Sequence, residues 1–425
     1  MYCNWLHQAH IGSPEWWSRL EQHGSPWITP AEDGGYWASF FWQDPQGSEQ
    51  LSKIQRVWLN ITGVTDHHQG KDPISLQRIL QTDVWVAEIK LTPQWRGSYM
   101  FIPSMLDDDF QGNAEDMYTL RRWWQNTFVN GTEPAADKLN PARHWFGGRG
   151  HCVSPLSMPD APPQTAWQSV DQGQESLSHS RLQTYQWHSQ ILGNSRDIWT
   201  LGLGQPTHTR PLAIILDGKF WTQQMPLPVA LESLTQQHRL PPAVYLFIDS
   251  LDNQQRAHEL PCNMQFWDAV ENELLPQLSQ WEACSCAAET TIIAGQSFGG
   301  LSAAFAILNK PHLATSAICQ SSSFWWPNRH HDASDSFMIN ALQQQQFSHV
   351  PRKFFIEAGI REKLIYRANE QVVSLLKQAN HQVIYRDVDG GHDALCWRGG
   401  LTDGLQAIWS GHHFLESGAL SYEQI

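Results

Sequence analysis

Residues 291–308 read TIIAGQSFGGLSAAFAIL. A short β-branched run ends at Ala294, the pentapeptide Gly295-Gln296-Ser297-Phe298-Gly299 follows, and a stretch rich in Ala and Leu comes after it. Strand, tight turn and helix in that order suit a reactive serine, because flanking glycines allow a strained bend that lifts the hydroxyl above the sheet. A chance pentapeptide in a glycine-rich turn would lack those flanks.

Outward from that turn, from about residue 180, apolar strand candidates alternate with helical stretches. The strands are 196–203, 212–216 (LAIIL), 243–248 (AVYLFI), 291–294, 316–320, 354–358 and 383–388; the helices include 263–278, 302–308 and 367–378. This alternation predicts a mostly parallel sheet with helices on both faces and catalytic groups beyond the carboxyl ends of its strands. With the serine turn, it is the α/β-hydrolase pattern. The first 150 residues read differently: 35–42 (GYWASFFW), 56–61 (RVWLNI), 82–91 (TDVWVAEIKL) and 98–102 (SYMFI) are short, aromatic and β-branched, and turn formers separate them. They predict an all-β sandwich. Residues 154–174 hold four Pro and many small polar residues, so they read as an exposed connection, and the boundary falls near residue 165. The expected domains are 1–165 and 166–425.

The chain has 425 residues, 41% hydrophobic and 16% charged, enough apolar content for two folded domains. Twenty-eight Lys and Arg against 42 Asp and Glu give a net charge of −14, which with no basic run argues against nucleic acid or an anionic membrane as the main partner. No window approaches the roughly 18 apolar residues of a membrane span, and the N-terminus MYCNWLHQAHIGSPEWW lacks the features of a secretion signal. A cytoplasmic location is expected. Seven cysteines (Cys3, Cys152, Cys262, Cys284, Cys286, Cys319, Cys396) are odd in number and not at CxxC spacing, which fits reduced thiols better than disulfides or zinc. The adjacent pairs His67-His68 and His330-His331 lack a ligand-spaced third partner, so no metal or cofactor is expected.

A serine hydroxyl needs an imidazole to accept its proton and later deliver it to the leaving oxygen. Chain order in α/β-hydrolases runs Ser, acid, His. His392, on the glycine loop Asp389-Gly390-Gly391-His392-Asp393 after a strand candidate, is the expected base, with His381, His412 and His413 as competitors. Glu362, between serine and histidine in the chain, is the best acid; Glu357 and Asp393 are alternatives, and a serine–histidine dyad remains open. The backbone N–H of Phe298 should be one oxyanion donor, and that of Lys219, in the turn 216–221 (LDGKFW), the other. All these residues lie after 210, so the sandwich is expected to carry no catalytic group and to cap the mouth of the site.

LAIILDGKFW, LPPAVYLFIDSLDNQQRAHELPCNMQFW, AGQSFGGLSAAFAIL, SSSFWWPNR, FFIEAGIREKLIYRANE and DGGHDALCWRGGL together resemble the enterochelin (enterobactin) esterase family, ferric-siderophore esterases of the esterase D group. GYWASFFWQDPQG, RVWLNITGVTDHH and WRGSYMFIP resemble that family's N-terminal β-sandwich, so the likeness spans nearly the whole chain. It implies hydrolysis of the trilactone of enterobactin or a related catecholate siderophore, releasing dihydroxybenzoylserine units and allowing iron release. It also implies Ser297 as nucleophile, His392 as base, Glu362 as acid and LDGKF as oxyanion turn. Iron enters only as part of the substrate.

A ferric ion bound by six catecholate oxygens carries three net negative charges, so an acidic protein needs local cations to receive it. Arg256, Arg361, Arg398, Arg196 and Lys219 fall on or near the expected carboxyl-end loops, and guanidinium suits paired oxygens and aromatic rings. Of these Arg256 is the strongest candidate. Trp221, Trp325, Trp326 and Trp397, among 22 Trp, are candidates for stacking on catechol rings. A carboxylesterase or feruloyl-type esterase acting on phenolic esters is the alternative reading, and a Trp-rich ligand-binding module a more distant one.

Overall fold

The computed structural model describes residues 4–130, 134–147, 150–173, 181–328, 335–348 and 350–410. Contacts divide the chain into two units. The first comprises Met1–Ala161, Ala358–Tyr366 and Asp387–Cys396; the second comprises Pro162–Glu357, Arg367–Arg386 and Trp397–Ile425.

Period-two alternation builds the first unit. Its four-stranded sheet has the order β1 (Trp27–Pro30), β2 (Tyr36–Gln43), β6 (Val84–Leu91), β5 (Gln77–Arg78). Its five-stranded sheet has the order β4 (Ile74–Ser75), β3 (Arg56–Ile61), β7 (Arg96–Ser104), β9 (Cys152–Ser157), β8 (Trp145–Phe146). Ala38 and Phe40 of β2 share one core with Val57, Leu59 and Ile61 of β3 and with Tyr99 and Phe101 of β7. Phe41, on the opposite face of β2, packs with Trp16, Trp17 and Leu20 of the helix Pro14–His23. That helix starts where Ser13 accepts from the Trp16 N–H, with Pro14 at the position where a missing N–H costs nothing.

The main segment of this unit ends at Ala161, and two later segments cluster with it. Residues 358–366 and 387–396 belong with it because they bond to the sandwich: the Gln69 side chain to the Arg361 carbonyl, Thr92 to Asp389 and Arg361, and Ser98 to Asp393. The stretch 154–174 is not an exposed connection. Its start lies in β9, Trp167 and Val170 are fully buried, and the indole N–H of Trp167 donates to the carbonyl of Arg398.

The second unit holds an eight-stranded sheet in the order β10 (Leu182–Ser189), β11 (Asn194–Gly202), β13 (Val244–Ile248), β12 (Leu212–Leu216), β14 (Thr291–Gln296), β15 (Ser316–Gln320), β16 (Lys353–Gly359), β17 (Gln382–Val388). Pairing is parallel from β13 through β12, β14 and β15 to β16. β10 and β11 extend the edge antiparallel. Leu212, Ile214 and Leu216 face one core while Ala213 and Ile215 are equally buried on the other side, so the central strands are apolar on both faces, as a helix-covered parallel sheet requires. This is an α/β-hydrolase sheet preceded in the chain by a β domain.

Candidate active site

β14 delivers Ser297 to the end of the parallel sheet. The residue sits at φ 57°, ψ −118°, between β14 and the helix Phe298–Asn309. That conformation is costly for a side chain with a Cβ and persists only where its surroundings enforce it. A Cβ on Gly295 would lie 2.4 Å from the carbonyl carbon of Gly299, so strand and helix can meet only if Gly295 has no side chain. The backbone of Ser297 is fixed on both sides: its N–H donates to the Gln320 carbonyl at 2.9 Å and its carbonyl accepts from the Ser323 N–H at 3.0 Å. Its Oγ is 3.2 Å from the Ser323 Oγ. Phe298 is the first residue of the helix, where an N–H has no intrahelical acceptor.

The turn after β12 adjoins this bend. Asp217, at φ 56°, begins it, and its carboxylate stands 3.5 Å from the position a Cβ would take on Gly299. Arg256 holds Asp217 through two parallel bonds of 2.7 and 2.8 Å and reaches the carbonyl of Gln296, the residue before the serine, at 3.1 Å. Burial raises the Asp217 pKa, but the guanidinium and the Ser250 hydroxyl outweigh it and hold the carboxyl below its ordinary value. Lys219 is exposed in the same turn.

Beneath the bend runs a buried polar relay that the sequence did not reveal. The indole N–H of Trp221 donates to Gln296 at 2.9 Å, Gln296 donates to Gln320 at 3.0 Å, and Gln320 donates to Glu357 at 2.8 Å. Arg386 closes the line on Glu357 and Asp403. Each side-chain amide here is satisfied at both ends, which fixes the rotamers under the serine.

In the first unit, His392 Nδ1 lies 2.6 Å from Glu362 Oε1, and Glu362 Oε2 accepts from the Gly359 N–H at 2.8 Å. The Glu362 side chain is fully buried; the imidazole is one-fifth exposed. A carboxylate on Nδ1 fixes the tautomer that leaves Nε2 as the proton acceptor. The competing acids are engaged otherwise: Glu357 with Gln320 and Arg386, Asp393 with Ser98. His381 is buried, with Nδ1 accepting from the Arg352 N–H at 3.1 Å. His412, His413, His330 and His331 lie outside the described residues.

Residues 38–167 match the family model "Enterochelin esterase, N-terminal", and residues 199–408 match "Putative esterase". The chain is 45% identical over 400 residues to the iron(III) enterobactin esterase of a strain of Escherichia coli, covering 94% of this chain and 97% of that one. The chain belongs to the enterobactin esterase family. Its fold is that of the family too: the crystal structure of the ferric enterobactin esterase of Salmonella typhimurium matches with a TM-score of 0.86 at 45% identity, over 94% of this chain and 99% of that one. The Shigella flexneri enterobactin esterase, crystallised in the presence of enterobactin, matches at 0.83 and 43%, over 95% and 99%.

Within this family member, several expected substrate-binding residues are engaged elsewhere. Arg196 is buried against Glu259 at 2.6 Å and the Asp249 carbonyl at 3.0 Å. Arg398 is buried and spends its guanidinium on Asp171 and Gln164. A desolvated guanidinium is kept by its carboxylate, so both are paired within the protein. Trp221 is fully buried and belongs to the relay. Arg361 pairs with Asp389 at 2.5 Å and with Thr92 at 2.6 Å. Trp397 donates to Ser321 at 2.8 Å. Trp325 and Trp326 are partly exposed; the Trp325 ring lies 6.0 Å from that of Phe298, beside the serine, and Trp326 packs on Phe337. No helix among the described residues is long and apolar enough to cross a membrane, and no cluster of metal-binding side chains occurs among them.

Proposed function

We propose that this chain hydrolyses the trilactone ester bonds of iron(III) enterobactin, with Ser297 as nucleophile, His392 as base and Glu362 as the acid that orients it. The observation that carries this is the strained Ser297 bend in a chain 45% identical, over 94% of its length, to an iron(III) enterobactin esterase. His392 takes the hydroxyl proton as Oγ attacks the ester carbonyl, and Glu362 stabilises the imidazolium. The tetrahedral oxyanion is received by the N–H groups of Phe298 and Lys219. Collapse expels the neighbouring serine unit of the trilactone as an alkoxide, protonated by His392; water activated by the same imidazole then releases the acyl group from Ser297. Iron is cargo here and takes no part in bond breaking.

Trp325 and Trp326 would stack on catecholate rings, and Lys219 would meet the anionic charge at the mouth. The small-molecule siderophore is the partner, and the cytoplasm is the proposed compartment, supported by the free thiols of the described cysteines. High identity to enterobactin esterases favours this substrate over a simple phenolic ester. Ferric enterobactin incubated with the protein should yield linear trimer, dimer and monomer of dihydroxybenzoylserine by mass spectrometry. Ser297→Ala, folded by circular dichroism, should yield none; cleavage at the wild-type rate would overturn the assignment.

A further inference from the structure

Three contacts within the first unit converge on the Glu362–His392 pair, and all come from sandwich sequence that the chemistry above leaves unused. The His68 imidazole lies 5.3 Å, centroid to centroid, from that of His392, with the planes 31° apart. The Gln69 amide donates to the carbonyl of Arg361, the residue before Glu362, at 2.5 Å. Asp393, the residue after His392, accepts at 2.6 Å from both the N–H and the hydroxyl of Ser98 in β7.

His68 is itself held. Asp66 accepts from its backbone N–H at 3.1 Å and lies 3.2 Å from its Nδ1, and the His67 ring lies tilted against it, 37° between planes and 4.0 Å between centroids. The backbones close up as well, since a Cβ on Gly391 would lie 2.7 Å from the Gly63 nitrogen. Without such contacts, an imidazole on the loop Gly390-Gly391-His392 would be free to swing, because glycine-rich loops are mobile. A catalytic base misplaced by about 1 Å can cost on the order of 10²-fold in rate.

We propose that the sandwich is part of the catalytic apparatus: His68, Gln69 and Ser98 are positioning residues, His68 setting the plane of the His392 ring while Gln69 and Ser98 pin the backbone on either side of the acid–base pair. The inference rests on His392 and Glu362 having the roles proposed above. It assigns the N-terminal half a part in turnover itself.

The test compares His68→Ala, His68→Phe, Asp393→Asn and His392→Ala in the full-length chain, each checked for fold by circular dichroism and thermal melting. Ferric enterobactin turnover should fall about 10- to 100-fold in kcat for His68→Ala and Asp393→Asn, with KM within about twofold. Labelling of Ser297 by a fluorophosphonate should slow by the same factor, and the low-field proton resonance of the His392–Glu362 bond should weaken. His68→Phe, which restores a flat ring, should recover most of the loss. If Asp393→Asn does not fold, Ser98→Ala, which removes one of the two bonds to Asp393, replaces it. Wild-type activity in His392→Ala would defeat the functional reading itself. An inactive His392→Ala beside folded His68→Ala and Asp393→Asn enzymes with wild-type kcat would defeat only the positioning role. A raised KM at unchanged kcat in His68→Ala would also defeat it, by making His68 a binding residue.

Discussion

Arg256 grips Asp217 with both edges of its guanidinium and reaches past it to the carbonyl of Gln296. One side chain thereby ties the turn after β12 to the strand that carries Ser297. Two proposed oxyanion donors, on Lys219 and Phe298, flank those two tie points in sequence. Arg256, which the sequence offered as a ligand for an anionic substrate, braces the two segments on which those donors are proposed.

Removing that brace should reduce stability and rate together. The pair is about four-fifths buried, so Arg256→Ala leaves Asp217 without its counter-charge, at a cost of about 2 kcal/mol. In the wild type the Asp217 carboxyl is held below its ordinary value, so its contribution is present above the ordinary carboxylate pKa and is lost as pH falls through the lowered one. Arg256→Ala should therefore begin to unfold at a higher pH on acid titration followed by circular dichroism. An unchanged acid limb would show that the pair contributes nothing to folding.

Glu362→Gln should leave the fold intact and remove most activity. The amide preserves shape but cannot stabilise the imidazolium, and loss of the corresponding charge in a serine protease costs about 10⁴-fold in kcat. Steady-state kinetics on ferric enterobactin would measure it. A loss below tenfold would favour a serine–histidine dyad.

The two outer glycines of the serine motif should respond oppositely to alanine. At Gly295 the new Cβ would meet Gly299 backbone at 2.4 Å, and backbone cannot move aside without opening the bend. The nearest atom to a Cβ on Gly299 is 3.5 Å away, an ordinary contact, and alanine favours the helix there. Gly295→Ala should lower thermal stability by roughly 3 kcal/mol and abolish turnover, whereas Gly299→Ala should keep both near wild type. Equal behaviour of the two variants in melting and activity assays would refute the steric account.

Features carried by local spacing or chain order were legible in the sequence. The strand–turn–helix around Ser297 is written in eighteen consecutive residues, and the order Ser, acid, His, with a place just after the strand 354–358, put Glu362 ahead of Glu357 and Asp393; the structure bonds it to His392. The helix Pro14–His23 has a readable start in Ser13-Pro14, a capping serine followed by proline at the first helical position. Burial by distant partners was not legible. Arg196 and Arg398 look like surface cations until Glu259 and Asp171, 63 and 227 residues away, are folded onto them. Trp221 likewise looked like a loop residue because its partner, Gln296, lies 75 residues on. The attachment of 358–366 and 387–396 to the sandwich depends on bonds spanning nearly 300 residues, such as Ser98 to Asp393, which no local pattern announces.

Cys286 should be the first of the described cysteines to react with iodoacetamide at neutral pH. It is exposed, and a hydrogen bond from Cys284, with the two sulfurs 3.9 Å apart, pulls its thiol down to about 7, while burial pushes the thiols of Cys262 and Cys319 up. Its alkylation rate should rise with pH and reach half its maximum near 7; peptide mapping after brief labelling would identify the site, and Cys286→Ser should abolish the fast phase. Modification should leave turnover unchanged. Cys286 precedes the start of β14 whereas Ser297 follows its end, and six extended residues separate the two ends of that strand by roughly 20 Å. Equal labelling of the buried cysteines would contradict the proposed thiolate, and loss of activity on selective labelling would contradict the separation.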